Sequence, residues 1–251
     1  MLEINGLSKQ FGGLKALSDV SFAIRRGEIM SLIGPNGAGK TTCLNLVTGF
    51  LKPSQGSVRY CERDITGLAP HAAAKLGLIR TFQKTNVLRG LSVFGNVLTA
   101  RYRHGETSLW RTFLASGRHR ERELRDEAAA LVEAVGLGGR MNTEADSLSC
   151  GELRLLEVAV ALGAGPKLLI LDEPAAGLNT HEANQLGHVL KELVATHVEA
   201  MLLVEHNMAL VMAVSDHITV LDFGRKIAQG GPAEIRSNPA VVAAYLGKAA
   251  A

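Results

Sequence analysis

Four short runs of this 251-residue chain hold residue types that do chemistry. Gly34–Thr42 reads GPNGAGKTT, Leu148–Glu152 reads LSCGE, Leu168–Pro174 reads LLILDEP, and Val204–Met208 reads VEHNM. The first run fits GxxxxGK[ST] and follows an apolar strand pattern, the context a phosphate loop requires. Its glycines let the backbone curl until N–H groups point inward at phosphate oxygens. Gly34, Pro35, Asn36, Gly37, Ala38 and Gly39 make the cradle, and Lys40 reaches the β- and γ-phosphates. Thr41, with Thr42 beside it, offers a hydroxyl to Mg²⁺.

LLILDEP ends an apolar strand with two acids. Asp172 is expected to hold Mg²⁺, directly or through water, and Glu173 to polarise an attacking water as general base. Successive strand residues point in different directions, so adjacent acids can divide these jobs. Two acids at a strand end carry little meaning alone; behind a phosphate loop they do. LSCGE raises a question. A serine and a glycine just ahead of an apolar helical run make a second helix start suited to an anion. The chain already has one complete phosphate loop, so the second site needs a phosphate of its own.

The elements that must position these runs can be read from periodicity. VSFAIRRGEIMSLIG alternates at Val20, Phe22 and Ile24, as a half-exposed strand does, then turns almost wholly apolar from Ile29 to Ile33, as a buried parallel strand does. Leu168–Asp172 and Met201–Glu205 are two more buried strands. Between them Leu186, Val189, Leu190, Leu193 and Val194 share one helical face, with the N-cap placed at Thr180. Strand–helix–strand of this kind gives a parallel sheet with helical cover. From residue 84 to residue 160 strand patterns are scarce. Leu124, Ala128, Leu131, Val132 and Val135 form one stripe closed by Gly136, and the segment reads as a helical insert between sheet segments. Turn signals at GGP (230–232) and SNP (237–239) precede a short helix to about Leu246.

Composition narrows the class. Net charge is +3 and the isoelectric point near 8.8, too weakly basic to imply nucleic acid. Cys43, Cys61 and Cys150 form no CxxC pair, which suits a reducing compartment. The start MLEINGLSKQ lacks the apolar core of a signal peptide, and no apolar run approaches the roughly 20 residues that span a bilayer. A soluble chain is expected, with any membrane role reached through a partner.

Taken in order, the phosphate loop, Gln83 in RTFQK, the LSCGE run, LLILDEP, AGLN (Ala176–Asn179) and His206 in VEHNM resemble the ATP-binding subunits of ABC transporters. The match spans nearly the whole chain. The resemblance implies an α/β fold: a P-loop NTPase (RecA-like) core at 1–83 and 161–251, an N-terminal antiparallel β-subdomain, and a helical subdomain at 84–160. It implies ATP and Mg²⁺ as ligands. It makes Gln83 a contact to Mg²⁺ or its water and the hinge to the insert, and His206 a hydrogen-bonder to the γ-phosphate. Phe11 matches the aromatic that stacks on adenine, against simple strand packing as the plainer reading.

The same resemblance answers the question posed by LSCGE. Subunits of this family pair head to tail, so Ser149 and the N–H groups near Gly151 would face the ATP held by the other subunit's phosphate loop. Transmembrane permease subunits, and indirectly a substrate-binding protein, are the implied partners. The implied place is the cytoplasmic face of the inner membrane, peripherally bound; nucleic acid is not expected. RTFQ, DEPAAGLN, VEHNM and EIRSNPAVVAAYLG further resemble the LivG-like ATPases of branched-chain amino-acid importers, whose relatives serve urea or short amides. A soluble ABC-type ATPase acting on nucleic acid or ribosomes, and a P-loop nucleotide kinase, are the competing classes. The first usually fuses two ATPase domains or carries long coiled-coil insertions; the second would need an acceptor pocket and lid.

Some residues depart from the family pattern. Cys150 stands where glycine is usual, Asn179 where many relatives have Asp, and Asn207 where an acid is frequent. Cys43 directly follows the loop threonines and reads as helix packing, with a thiol acidified by the helix start, and so alkylation blocked by ATP, as the alternative. Residues Arg101 to Arg125 hold seven arginines against three glutamates, read as a solvated helical face, with anionic lipid as the alternative. His181 and His188 share a face and read as solvated.

Overall fold

A computed structural model describes residues 1–81, 87–104 and 117–246, with the side chains of 103, 104, 117, 118 and 246 outside that description. Two sheets form the frame. The first is antiparallel, in the order β2-β1-β4-β5, from β1 (Leu2–Phe11), β2 (Leu14–Ile24), β4 (Gln55–Tyr60) and β5 (Arg63–Asp64). The second runs β10-β9-β3-β8-β7-β6. Its strands are β3 (Ile29–Ile33), β6 (Leu78–Arg80), β7 (Leu168–Asp172), β8 (Ala200–Val204), β9 (His217–Asp222) and β10 (Arg225–Gly230). All its pairings are parallel except β9 with β10.

The all-apolar strands are buried on both faces. Leu168 and Ile170 of β7, and Ala200, Leu202 and Val204 of β8, face a core shared with Leu2, Ile4, Val20 and Phe22 of the antiparallel sheet. That core also takes Cys43, Leu44 and Val47 of helix α1 (Lys40–Val47). The alternate residues Leu169, Leu171, Met201 and Leu203 face a second core under helices. Period-2 alternation therefore vanishes from sequence patterning in these strands while persisting in which core each residue joins.

After α2 (Pro70–Lys75) and β6, the described residues ahead of β7 include α3 (Val93–His104), α4 (Gly117–Ala134) and α5 (Cys150–Gly163), with two 3₁₀ turns before α5. The α4 stripe lies where its spacing put it, with Leu124, Ala128 and Val132 buried. On its charged face Glu127 pairs with Arg101 of α3, Arg120 with Glu123, and Arg125 lies over the Phe94 ring at 5.4 Å. Helices α6 (Thr180–Thr196) and α7 (Met208–Val214) cover β7 and β8. A third core joins Ile33, Ile218 and Val220 to α8 (Pro232–Ser237) and α9 (Pro239–Leu246) through Ile235 and Val241. Among the described residues no helix is long and apolar enough to cross a membrane. The N-cap of α6 is Asn179 rather than Thr180. Asn179 Oδ1 accepts the Glu182 amide at 3.0 Å and Glu182 Oε2 accepts the Asn179 amide at 3.0 Å, a reciprocal capping box that Thr180, followed three residues on by Ala183, cannot make.

Candidate nucleotide site

The parallel sheet brings three strand ends side by side. Leu32 of β3 lies opposite Val204 of β8, and Val204 opposite Asp172 of β7. Beyond these ends come Gly34, His206 and Glu173. The carboxyl edge of an open parallel sheet is where ligands of such folds sit.

Gly34–Gly39 is built into its surroundings. A Cβ on Gly34 would lie 2.1 Å from the Leu221 carbonyl oxygen, and one on Gly39 2.8 Å from the Ala16 carbonyl oxygen. Gly37 and Gly39 have φ of 81° and 100°, open to glycine at little cost. The Gly224 amide donates to Ala38 O at 3.0 Å, and Gly224 O accepts the Ser18 amide at 2.8 Å, so the β9–β10 turn and β2 brace the loop from behind. Helix α1 starts with no side-chain cap and no acid in its first turn, which leaves its leading amides and dipole directed at an anion. Lys40 is buried and folds back over the loop, donating to Gly34 O at 2.7 Å and Pro35 O at 3.2 Å. Thr41 is exposed and Thr42 half-buried at the same helix start.

Asp172 is buried, and its two oxygens differ. Oδ2 accepts Arg80 Nη2 at 2.8 Å in a salt bridge whose side chains are 6% and 3% exposed. Oδ1 is buried with no hydrogen-bond partner. An anionic oxygen left so is costly unless a cation or its water completes it, so the residue fits an Mg²⁺ role. Arg80 also donates to Asn45 Oδ1 at 2.7 Å, tying β6, β7 and α1 together. Sequence reasoning overlooked Arg80, although it stands two residues ahead of the FQ pair in RTFQK. Gln83 itself lies outside the described residues.

Glu173 has φ 53°, in the left-handed region, and its amide donates to Val204 O at 2.8 Å. Such backbone in a non-glycine residue clusters at functional sites. His206 Nδ1 lies 3.9 Å from Glu173 Oε1 and 3.9 Å from Glu205 Oε2. Glu205, a second residue that sequence reasoning passed over, is fully buried. Its Oε2 accepts the His206 and Asn207 amides at 2.9 and 3.0 Å, and its Oε1 accepts the Ala175 amide at 2.7 Å. It thereby locks the turn carrying His206 to the turn following Glu173. Asn207 caps α7 by accepting the Leu210 amide at 3.1 Å. Gly34, Pro35, Asn36, Glu173, His206 and Tyr245 line one cavity of about 330 Å³.

Ser149 and Gly151 are not part of it. They line a separate cavity of about 510 Å³ with Arg140, Glu152 and Glu182, and share none of its lining with the phosphate-loop cavity. Ser149 caps α5: its Oγ accepts the Glu152 amide at 3.2 Å while Glu152 Oε2 accepts the Ser149 amide at 2.8 Å. That backbone hydrogen bond chiefly holds the Glu152 carboxyl below its usual pKa. A Cβ on Gly151 would come 2.9 Å from Glu182 Oε1, so the missing side chain lets the starts of α5 and α6 meet. Arg154 reaches the Ala176 carbonyl oxygen at 3.2 Å.

Phe11 ends β1, 46% exposed, with the Lys9 ammonium 5.1 Å from its ring centroid. Cys43 packs in the core, as the plainer reading has it, and the reactive-thiol alternative fails. The residue faces the core below α1 rather than the loop, and burial pushes its thiol up to about 12.

Comparison with known proteins decides the family. A family model described as ABC transporter matches residues 17–176, and one described as branched-chain amino acid ATP-binding cassette transporter matches residues 225–251. The chain belongs to the ABC transporter family. Members hydrolyse ATP, and this cassette is an ATPase. It is 44% identical to the high-affinity branched-chain amino acid transport ATP-binding protein LivG of Salmonella typhimurium, over 99% of this chain and 98% of the relative. It is 42% identical to BraF of Pseudomonas aeruginosa, a protein of the same description, over 99% and 98%. A crystal structure of an ABC-transporter ATP-binding cassette in its ADP conformation superposes with a TM-score of 0.86 at 33% identity, covering 98% of each chain.

Proposed function

We propose that this cassette is the ATP-hydrolysing subunit of an importer for branched-chain or other hydrophobic amino acids, working as a head-to-tail pair beneath a membrane permease. Identity of 44% along 99% of the chain to a branched-chain amino-acid transport protein carries the cargo. The cassette sits at the cytoplasmic face of the membrane, held by the permease.

Within one site, the Gly34–Gly39 amides and Lys40 hold the phosphates, and Lys40 exchanges its carbonyl partners for phosphate oxygens. Thr41, Asp172 and Gln83 hold Mg²⁺, which supplies charge neutralisation across the phosphate oxygens when bound. Glu173 takes the proton of the attacking water, and His206 donates to the γ-phosphate. Phe11 stacks on the adenine.

The pair follows from the separation of the two cavities. Ser149 and Gly151 line a cavity that shares no residue with the one at Gly34, Pro35 and Asn36. In the cap the Ser149 hydroxyl acts as acceptor, so its proton stays available to a phosphate of the partner's ATP. Each nucleotide then has donors from two chains. Closure is favoured while the γ-phosphate is present and relaxes after hydrolysis. Residues 84–160 act as the arm through which Gln83 passes this change to the permease.

Reconstitution with its permease and binding protein tests the reading. Leucine uptake into proteoliposomes is expected only with ATP on the cassette side. Uptake of urea with no leucine transport would reassign the cargo while leaving the ATPase intact.

A further inference from the structure

The cavity beside Glu173 and His206 has one wall that none of the four chemical runs supplies. Tyr245 comes from α9, more than two hundred residues along the chain from Gly34, and closes the cavity at Gly34, Pro35 and Asn36. Its ring is anchored in the core formed with Val211, Ile218, Val220, Ile235 and Val241. Its hydroxyl oxygen is buried and makes no well-formed hydrogen bond, although the Gly34 amide points toward it. Desolvation by burial raises its pKa above the ordinary tyrosine value, so the hydroxyl keeps its proton at neutral pH. A tyrosine needed only for packing could be a phenylalanine, because a buried hydroxyl without a full partner is unfavourable.

Resting on the reading of Glu173 and His206 as the γ-phosphate end of the site, we propose that Tyr245 is a further nucleotide ligand whose hydroxyl donates to the γ-phosphate, coupling α9 to the presence of ATP. The donor has a protonated O–H and an anchored ring, and it borders the same cavity as the base and the histidine. An anionic phosphate oxygen accepts such a hydrogen bond more strongly than a neutral acceptor does. ADP, lacking the γ-phosphate, leaves the hydroxyl as it is.

The test is Tyr245→Phe, which removes one oxygen and keeps the ring packed. Binding of a non-hydrolysable ATP analogue and of ADP is measured by calorimetry on the full chain with Mg²⁺, with Lys40→Ala alongside. The analogue is expected to bind about tenfold more weakly to Tyr245→Phe, with ADP affinity unchanged. Equal losses for both nucleotides would assign Tyr245 to packing and overturn the proposal, as would no loss for either. Wild-type analogue affinity in Lys40→Ala would overturn the site reading beneath it. Loss in Lys40→Ala with none in Tyr245→Phe would overturn the tyrosine's role while keeping the phosphate loop. Thermal melting of Tyr245→Phe within a few degrees of wild type shows that the comparison is between folded proteins.

Discussion

Two helix starts in this chain look alike in sequence and are built differently. Helix α1 begins after Gly39, with no side-chain cap and no acid in its first turn. Helix α5 begins at Ser149 with a complete capping box. An uncapped start keeps its amides for a ligand, and the surrounding loop curls to add more. A capped start has already satisfied an amide and fixed a carboxylate, Glu152, near the anion it would meet. On the proposed reading, the first is a site in itself. On the same reading, the second is half a site, with a hydroxyl proton and the glycine amide to offer to a phosphate delivered by the partner.

The sharpest way to test that contrast is to stop hydrolysis without touching either start. Glu173→Gln keeps the side chain's shape and removes the base. ATP turnover should fall by about a hundredfold to ten-thousandfold, while ATP binding persists. Light scattering should then find an ATP-dependent dimer that ADP does not support. Brisk turnover would remove Glu173 from the base role. A monomer at saturating ATP would leave the Ser149 start without its partner.

Ser149→Ala, placed in that slow background, comes next. Losing the cap should cost about 1 kcal/mol of stability, read as a lower melting temperature. Dimer formation should weaken, while the affinity of the dilute monomer for ATP stays as it was, because the Ser149 cavity and the phosphate-loop cavity share no residue. Equal loss of both would mean that the two helix starts serve one nucleotide in one chain.

The contrast also shows what a linear sequence can reveal. The phosphate loop is legible because its geometry is local: nine consecutive residues carry the turn, the lysine and the hydroxyls. The strands β3, β7 and β8 are legible because burial on both faces leaves near-continuous apolar runs. Arg80, Glu205 and Tyr245 were not legible. Arg80 meets Asp172 across 92 residues and Glu205 meets Ala175 across 30, distances over which spacing carries no information. The Asn179 cap was within reach: Glu182 three residues on is the capping-box signal, and Thr180 has no such partner.

Cys43 gives the smallest expected effect and the closest check on α1. Its place four residues after the loop glycine Gly39 suggested a thiol made acidic by the helix dipole. Packing, the plainer reading, is what the structure shows. The side chain turns into the core with Leu44 and Val47, and desolvation there outweighs the dipole, raising the pKa to about 12. At pH 8 the thiol is protonated and shielded. A maleimide should therefore label Cys61 and Cys150, both exposed, and leave Cys43 untouched with or without ATP. Denaturant should expose the third thiol. Labelling of native Cys43 that ATP blocks would mean that α1 opens on the loop side, and the uncapped start would be a mobile one rather than a prebuilt anion site.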